Sequence, residues 1–222
     1  MLYRTCRRIL SLTLIFLMPC LRLSAQSNHE PGSWTSLGFN YNINDKLKVL
    51  SETQLRSLDM YNMFYYYELR ASLRYTPFHW ISVASGLSHH NVYKSDGNFS
   101  NPSRKETRIY EEVFIRLALS RFNFENRNRL EQRFTPDGYK NRLRPRLALT
   151  LPVNNPEVNP GTFFLSFTEE LFFSDFLEKS QFFIGPGYKF ETLSITTGLK
   201  NDYNYESRVS LNFFQISVLF EI

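Results

Sequence analysis

Between Phe122 and Leu151 charged and apolar side chains alternate over two strand lengths. Glu125, Arg127, Arg129, Glu131 and Arg133 take every second position of the first run. Arg142, Arg144 and Arg146 do so in the second, interleaved with Leu143, Pro145, Leu147 and Leu149. Successive side chains of a β-strand point to opposite faces, so a period of two sorts the residues into two sets. Here one face is mostly apolar and the other is a ladder of guanidiniums and carboxylates. A soluble sandwich would bury the apolar face and leave the ladder in water. A membrane barrel turns the apolar face to lipid and keeps the polar face inside.

The pattern recurs along the chain. Tyr66, Glu68, Arg70, Ser72 and Arg74 share one face of a run whose other face is Tyr65, Tyr67, Leu69, Ala71, Leu73 and Tyr75. Ser194, Thr196, Gly198 and Lys200 oppose Leu193, Ile195 and Leu199. The last run sets Phe214, Ile216, Val218, Phe220 and Ile222 against Gln215, Ser217 and Glu221, and its Phe213-Phe214 pair reads as a β-bulge. Strands are expected over 33–43, 46–57, 63–75, 80–90, 106–120, 121–134, 140–151, 162–173, 180–190, 191–203 and 209–222. Most match or exceed the ~9–11 residues that cross a bilayer at a tilt. No stretch carries a sustained helical stripe. The fold class expected is therefore all-β, a transmembrane up-and-down antiparallel barrel. Single-chain bacterial barrels have even strand numbers, so the eleven runs are read as ten or twelve strands. Connections alternate between tight and long, except that the ten residues from Pro152 to Gly161 fall where a tight turn is due.

The N-terminus reads as a signal peptide, residues 1–25, ahead of one barrel domain, 26–222. Arg4, Arg7 and Arg8 precede an apolar core, Ile9 to Met18, and Ala25 is a small residue before a cleavage point. Export to the outer membrane of a Gram-negative envelope follows, with outer-membrane lipid and the barrel-assembly machinery as partners. Four of the 26 basic residues (Arg4, Arg7, Arg8, Arg22) and none of the 21 acidic ones lie in that segment, so 22 against 21 remain. A near-neutral mature chain gives no reason to expect nucleic acid as a partner. Both cysteines, Cys6 and Cys20, lie there too, which leaves no disulfide or thiolate site.

The runs Glu125-Asn-Arg-Asn-Arg-Leu-Glu-Gln-Arg-Phe134, Arg142-Leu-Arg-Pro-Arg-Leu-Ala-Leu149 and Glu169-Glu-Leu-Phe-Phe173, with Gly185-Pro-Gly-Tyr-Lys189, resemble a family of uncharacterised bacterial outer-membrane proteins, the domain of unknown function 2490. The similarity spans Trp34 to Ile222. Members often carry an Asn-Arg pair shortly before the Gly-Tyr element, where this chain has Gln181-Phe-Phe183. The resemblance implies an outer-membrane barrel and supplies no activity.

The inward face is the candidate site. It is expected to hold Arg56, Arg70, Arg74, Arg116, Arg127, Arg129, Arg133, Arg142, Arg144 and Arg146 with Glu52, Glu68, Glu112, Glu125, Glu131 and Glu170. Arginines outnumber carboxylates, and the surplus is expected where Arg127, Arg129 and Arg133 lie beside Arg142, Arg144 and Arg146. Two readings follow. Cross-strand Arg–Glu networks can fill a narrow lumen and satisfy one another, which makes a structural or adhesion protein with a plugged lumen. Alternatively the guanidiniums bind or pass a small anionic solute. A third reading, an outer-membrane lipid hydrolase, would need a Ser-His pair. His89 and His90 share a strand with Ser85 and Ser88, but neighbours on one strand are poorly placed for a triad, and no catalytic residue is assigned. The adjacent acids Glu111-Glu112 and Glu169-Glu170 point to opposite faces. No cofactor is expected, and no cluster suggests a metal. Aromatics near strand ends (Trp34, Tyr41, Tyr61, Tyr65, Phe78, Trp80, Tyr110, Phe134, Phe173, Phe190 and Tyr203) read as interfacial girdles.

Overall fold

The computed structural model describes residues 30–94 and 101–222, so the expected signal segment lies outside the described residues. The described chain is β1 (Gly32–Asn42), β2 (Leu47–Asp59), β3 (Asn62–Phe78), β4 (Ile81–Val92), β5 (Arg104–Leu119), β6 (Phe122–Thr135), β7 (Gly138–Pro152), β8 (Thr162–Phe173), β9 (Leu177–Lys189), β10 (Leu193–Asn204) and β11 (Ser210–Glu221). These strands form one closed barrel in sequence order. Consecutive strands pair antiparallel. β1 closes on β11 in parallel, from Gly32 opposite Phe213 to Asn40 opposite Glu221.

Two expectations are corrected here. The barrel has eleven strands, not ten or twelve, and is not antiparallel throughout. The alternating runs were already eleven, and an odd count makes the first and last strands run the same way. The seam is therefore parallel, and the Asn42 amide donates to the Ile222 carbonyl at 2.9 Å.

The barrel turns its apolar face outward. Leu69, Leu87, Leu130, Leu143 and Leu199 are 45–63% exposed, while Glu68, Arg129, Glu131 and Arg144 are buried within. The alternation from Phe122 to Leu151 thus becomes β6 and β7, with Arg127, Arg129, Glu131, Arg142 and Arg144 all inside.

The expected bulge at Phe213-Phe214 is absent. The β10–β11 register runs unbroken from Leu193 opposite Phe220 to Tyr203 opposite Ser210. Phe213 simply takes an inward position, 1% exposed, edge-on to Trp34 at 5.6 Å between ring centroids. Register shifts fall instead at Arg56/Ser57, Tyr75/Phe78 and Phe172/Phe173. The girdle assignment also fails for two residues. Trp34 and Tyr110 are 2% and 1% exposed inside the barrel, because they share parity with Ser36 and Glu112. Tyr41, Tyr61, Phe78, Trp80, Phe134 and Phe190 are exposed near strand ends.

Two prolines interrupt the wall. The β7–β8 pairing skips from Leu143–Phe173 to Arg146–Glu170 around Pro145. The β9–β10 pairing skips from Thr196–Gly187 to Leu199–Ile184 beside Pro186. Proline has no N–H to donate to a ladder. At the second gap Gly185 and Gly198 approach so closely that a Cβ on either would strike the partner strand's backbone.

Candidate functional site

The interior is a network of ion pairs organised by cross-strand register. The β5–β7 ladders place Arg108 opposite Arg133, Arg127 opposite Arg146 and Arg129 opposite Arg144. Like charges directly across a sheet destabilise it, so each needs a carboxylate from a neighbouring position. Glu131, fully buried, serves three of these arginines and Arg142 opposite it. It accepts from Arg142 Nη2 at 2.7 Å and Arg144 Nη1 at 2.5 Å, with Arg129 Nη1 at 3.4 Å and Arg108 Nη1 at 3.6 Å. Glu112 takes Arg129 Nε at 2.8 Å and Arg127 Nε at 3.5 Å. Glu170 joins Arg127 and Arg144. Glu106 takes Arg108 and Arg133, Glu125 takes Arg116 and Arg146, and Glu52 takes Arg70.

The six arginines 127, 129, 133, 142, 144 and 146 therefore each have a carboxylate within 4.0 Å. The cation surplus expected among them lies elsewhere. Among the described residues Arg74 and Lys48, opposite each other on β3 and β2, have no carboxylate within that distance, and Arg74 instead covers the Phe114 ring at 3.9 Å. Lys200 is the third such cation that is not exposed. Across its two ladders stand Phe183 and Phe213, which offer it no charge.

Lys200 borders a cavity of 350 Å³. One wall is charged, with Arg56, Arg70, Arg108, Arg127, Arg142, Arg144, Arg146 and Lys179 against only Glu52, Glu68 and Glu170. The opposite wall is small and hydroxylated, with Ser36, Gly38, Ser166, Thr168, Ser194, Thr196 and Ser217. The two walls differ because β2, β3 and β5–β7 supply most of the charged side chains, whereas the serines, threonines and glycine come from β1, β8, β10 and β11. A second cavity of 240 Å³ shares Glu52, Arg70, Arg127, Arg146 and Leu219 with the first. Those five residues are the boundary between the two chambers.

The indole of Trp34 carries two cations. Arg56 Cζ lies 3.3 Å and Lys200 Nζ 3.9 Å from its centroid, so one covers each face. A desolvated cation–π contact contributes ~2 kcal/mol. Two unit charges roughly 7 Å apart repel by ~2.4 kcal/mol at an effective dielectric of 20. Two such contacts outweigh that repulsion, but the repulsion persists between the cations and an anion beside them would relieve it. Arg56 is held further by Gln54 Oε1 at 3.0 Å and by the Tyr66 ring, while Glu68 stands 3.8 Å away.

A polar chain absent from the sequence reading links β3 and β4. Tyr66 Oη donates to Glu68 Oε2 at 2.8 Å. It therefore accepts from His90 Nδ1–H at 2.5 Å, and His90 Nε2 accepts from the Ser88 hydroxyl at 2.8 Å. Residues i and i+2 share a face, and here they touch. The cavity reaches Tyr66 and Glu68 but borders neither Ser88 nor His90, which are 3% and 2% exposed. The geometry is that of a satisfied buried chain, with no approach for a substrate to the hydroxyl.

Of the candidate residues, Arg127, Arg129, Arg133, Arg142, Arg144, Glu68, Glu112, Glu131 and Glu170 are buried, and Arg70, Arg74, Arg116, Arg146 and Glu125 are half-buried. Glu170 faces the cavity and its neighbour Glu169 does not. Glu106 and Arg108 belong to the network and were missed, although they share the parity of Glu112. Glu178, Lys179 and Asp202 were missed as well. Lys179 pairs with Asp202 at 3.0 Å, and Glu178 lies within 3.8 Å of both Arg133 and Arg142. Among the described residues no group of three or more His, Cys, Asp or Glu is placed to hold a metal ion.

No curated protein and no solved structure matches the chain. One family model does, described as "Protein of unknown function (DUF2490)", over residues 31–211. That span runs from the start of β1 into β11 and includes the whole Arg/Glu ladder and the cavity lining up to Lys200, but not Gln215, Ser217, Val218 and Leu219 of β11. The chain with the inward ion-pair network is a member of the DUF2490 family.

Proposed function

We propose that this protein is an integral outer-membrane barrel whose lumen is closed to free diffusion and keeps a positively biased chamber for a small anion. The observation that carries the reading is the inversion of the barrel, with leucines half-exposed outside and charges buried inside. Water would reward the opposite arrangement, because exposing apolar surface costs ~25 cal/mol per Å². Lipid rewards this one, since its solvent is as apolar as leucine. The chamber reading rests on the lining, nine cationic side chains against three carboxylates around 350 Å³. The closure reading rests on the Glu52–Arg70 and Arg127–Glu170 pairs at the boundary between chambers.

Planar-bilayer recording of the purified protein tests both. The expected result is no steady conductance above the bilayer's own in chloride salt. A stable, cation-preferring conductance would overturn the account. A stable anion-selective conductance would replace the chamber with a passage. A purely structural role with a plugged lumen is favoured by one observation, the pairing of all six β6–β7 arginines. It leaves Lys200 and the hydroxylated wall without a purpose.

A further inference from the structure

We infer that the chamber takes a hydroxylated organic anion, a sugar acid or sugar phosphate, with its charged group beside Lys200 and Arg56 and its hydroxyl-bearing body against β8 and β10. The inference rests on the anion-chamber reading and specifies its ligand class.

Three observations place the two halves of the ligand. Lys200 Nζ borders the cavity, sits 3.9 Å from the Trp34 centroid, and has no carboxylate within 4.0 Å among the described residues. Arg56 covers the other face of that ring and, among the described residues, has one carboxylate within 4.0 Å, Glu68 at 3.8 Å. An anionic group there would relieve repulsion that the protein's own carboxylates leave in place. Next, Ser166, Thr168, Ser194 and Thr196 line the same cavity and make no side-chain hydrogen bond to protein among the described residues. By contrast, Ser36 and Gln215 are already engaged with Ser217, at 2.7 Å and 2.8 Å. Four hydroxyls that can each donate and accept suit a partner that does both, which is the chemistry of a polyol. Finally, the cavity of 350 Å³ is at the lower end of the ~300–1,000 Å³ usual for small-molecule sites, which limits the ligand to about one sugar. An inorganic anion would answer the cations and leave the hydroxylated wall to water. A neutral sugar would do the reverse.

The chain has two tryptophans, and Trp80 is exposed at the tight connection between β3 and β4. Trp80→Phe leaves Trp34, at the site itself, as the only reporter. Emission of this variant of the full chain in detergent is titrated with glucuronate, glucose and inorganic phosphate at constant ionic strength. The expected result is a saturable change with glucuronate, at least tenfold weaker binding of phosphate, and no response to glucose. Lys200→Met, added to Trp80→Phe, is expected to weaken glucuronate at least tenfold. Thr196→Val is expected to weaken glucuronate several-fold and leave the phosphate response unchanged. It carries the test alone if Lys200→Met fails to fold by its gel mobility before and after boiling. Equal binding of phosphate and glucuronate would overturn the inference while the anion chamber stands. A response that survives Lys200→Met in a folded protein would overturn the assigned site. No response to either anion would overturn the chamber reading as well.

Discussion

Glu131 shows what a single residue does in this lumen. It is fully buried and four arginines converge on its carboxylate, three of them at hydrogen-bond distance. Removing one partner of a buried pair leaves uncompensated charge and typically costs 3–5 kcal/mol. Glu131→Gln keeps the shape and deletes the charge, so it is expected to destabilise the barrel by ~3–5 kcal/mol, read by urea unfolding in lipid vesicles. Lys200→Met is expected to have no such effect, because a cation without a carboxylate loses only its contact with Trp34. A loss as large as that of Glu131→Gln would show that Lys200 is part of the structural network. Parity along each strand was enough to place Glu131 and its arginines on one face. The convergence of four arginines was not legible, because it depends on cross-strand register, and so does the isolation of Lys200 between Phe183 and Phe213. Glu106 and Arg108 were within reach of the same parity rule. Trp34 was misplaced because closeness to a strand end says nothing about which face a ring takes.

The strands were the most legible level. Uninterrupted alternation located all eleven, with ends a few residues off where register shifts or turns intervene. Phe213-Phe214 was misread because a phenylalanine on a polar face mimics a bulge. What no single run reveals is how β1 meets β11. The parallel seam predicts Ser36 opposite Ser217, with their hydroxyls 2.7 Å apart. Both native cysteines lie at positions 6 and 20, so Ser36→Cys with Ser217→Cys provides an isolated pair. Oxidation is expected to lock the seam and change gel mobility reversibly with reductant. Failure to cross-link, with a folded barrel, would contradict the eleven-strand closure. The outer face offers a second test at this scale. Leu199 is 63% exposed midway along β10. Arginine there would be nearly neutral on a water-exposed surface, within about 0.5 kcal/mol. On a lipid-facing strand it costs ~2–4 kcal/mol at the bilayer midplane. Leu199→Arg is expected to show the larger loss in vesicle unfolding, and a neutral result would place that face in water.

At the scale of the whole molecule, the barrel reverses the usual distribution of polarity. A paired ladder on β5–β7 fills one side of the lumen, and short hydroxylated side chains on β8, β10 and β11 leave room on the other. The same asymmetry accounts for stability and for a chamber. Ion pairs hold the charged wall, and Lys200, one of the cations they leave over, borders the open one. The sequence's period of two established that one face is apolar and the other charged, and only closure into a barrel decided which is inside. The central claim is that the apolar face meets lipid in the outer membrane. It is tested most directly by fractionating cells that express the protein and running the outer-membrane fraction on a denaturing gel, unheated and boiled. The account predicts that the chain is found in that fraction and migrates faster unheated than boiled. Recovery in the soluble fraction, with the same mobility under both conditions, would contradict it.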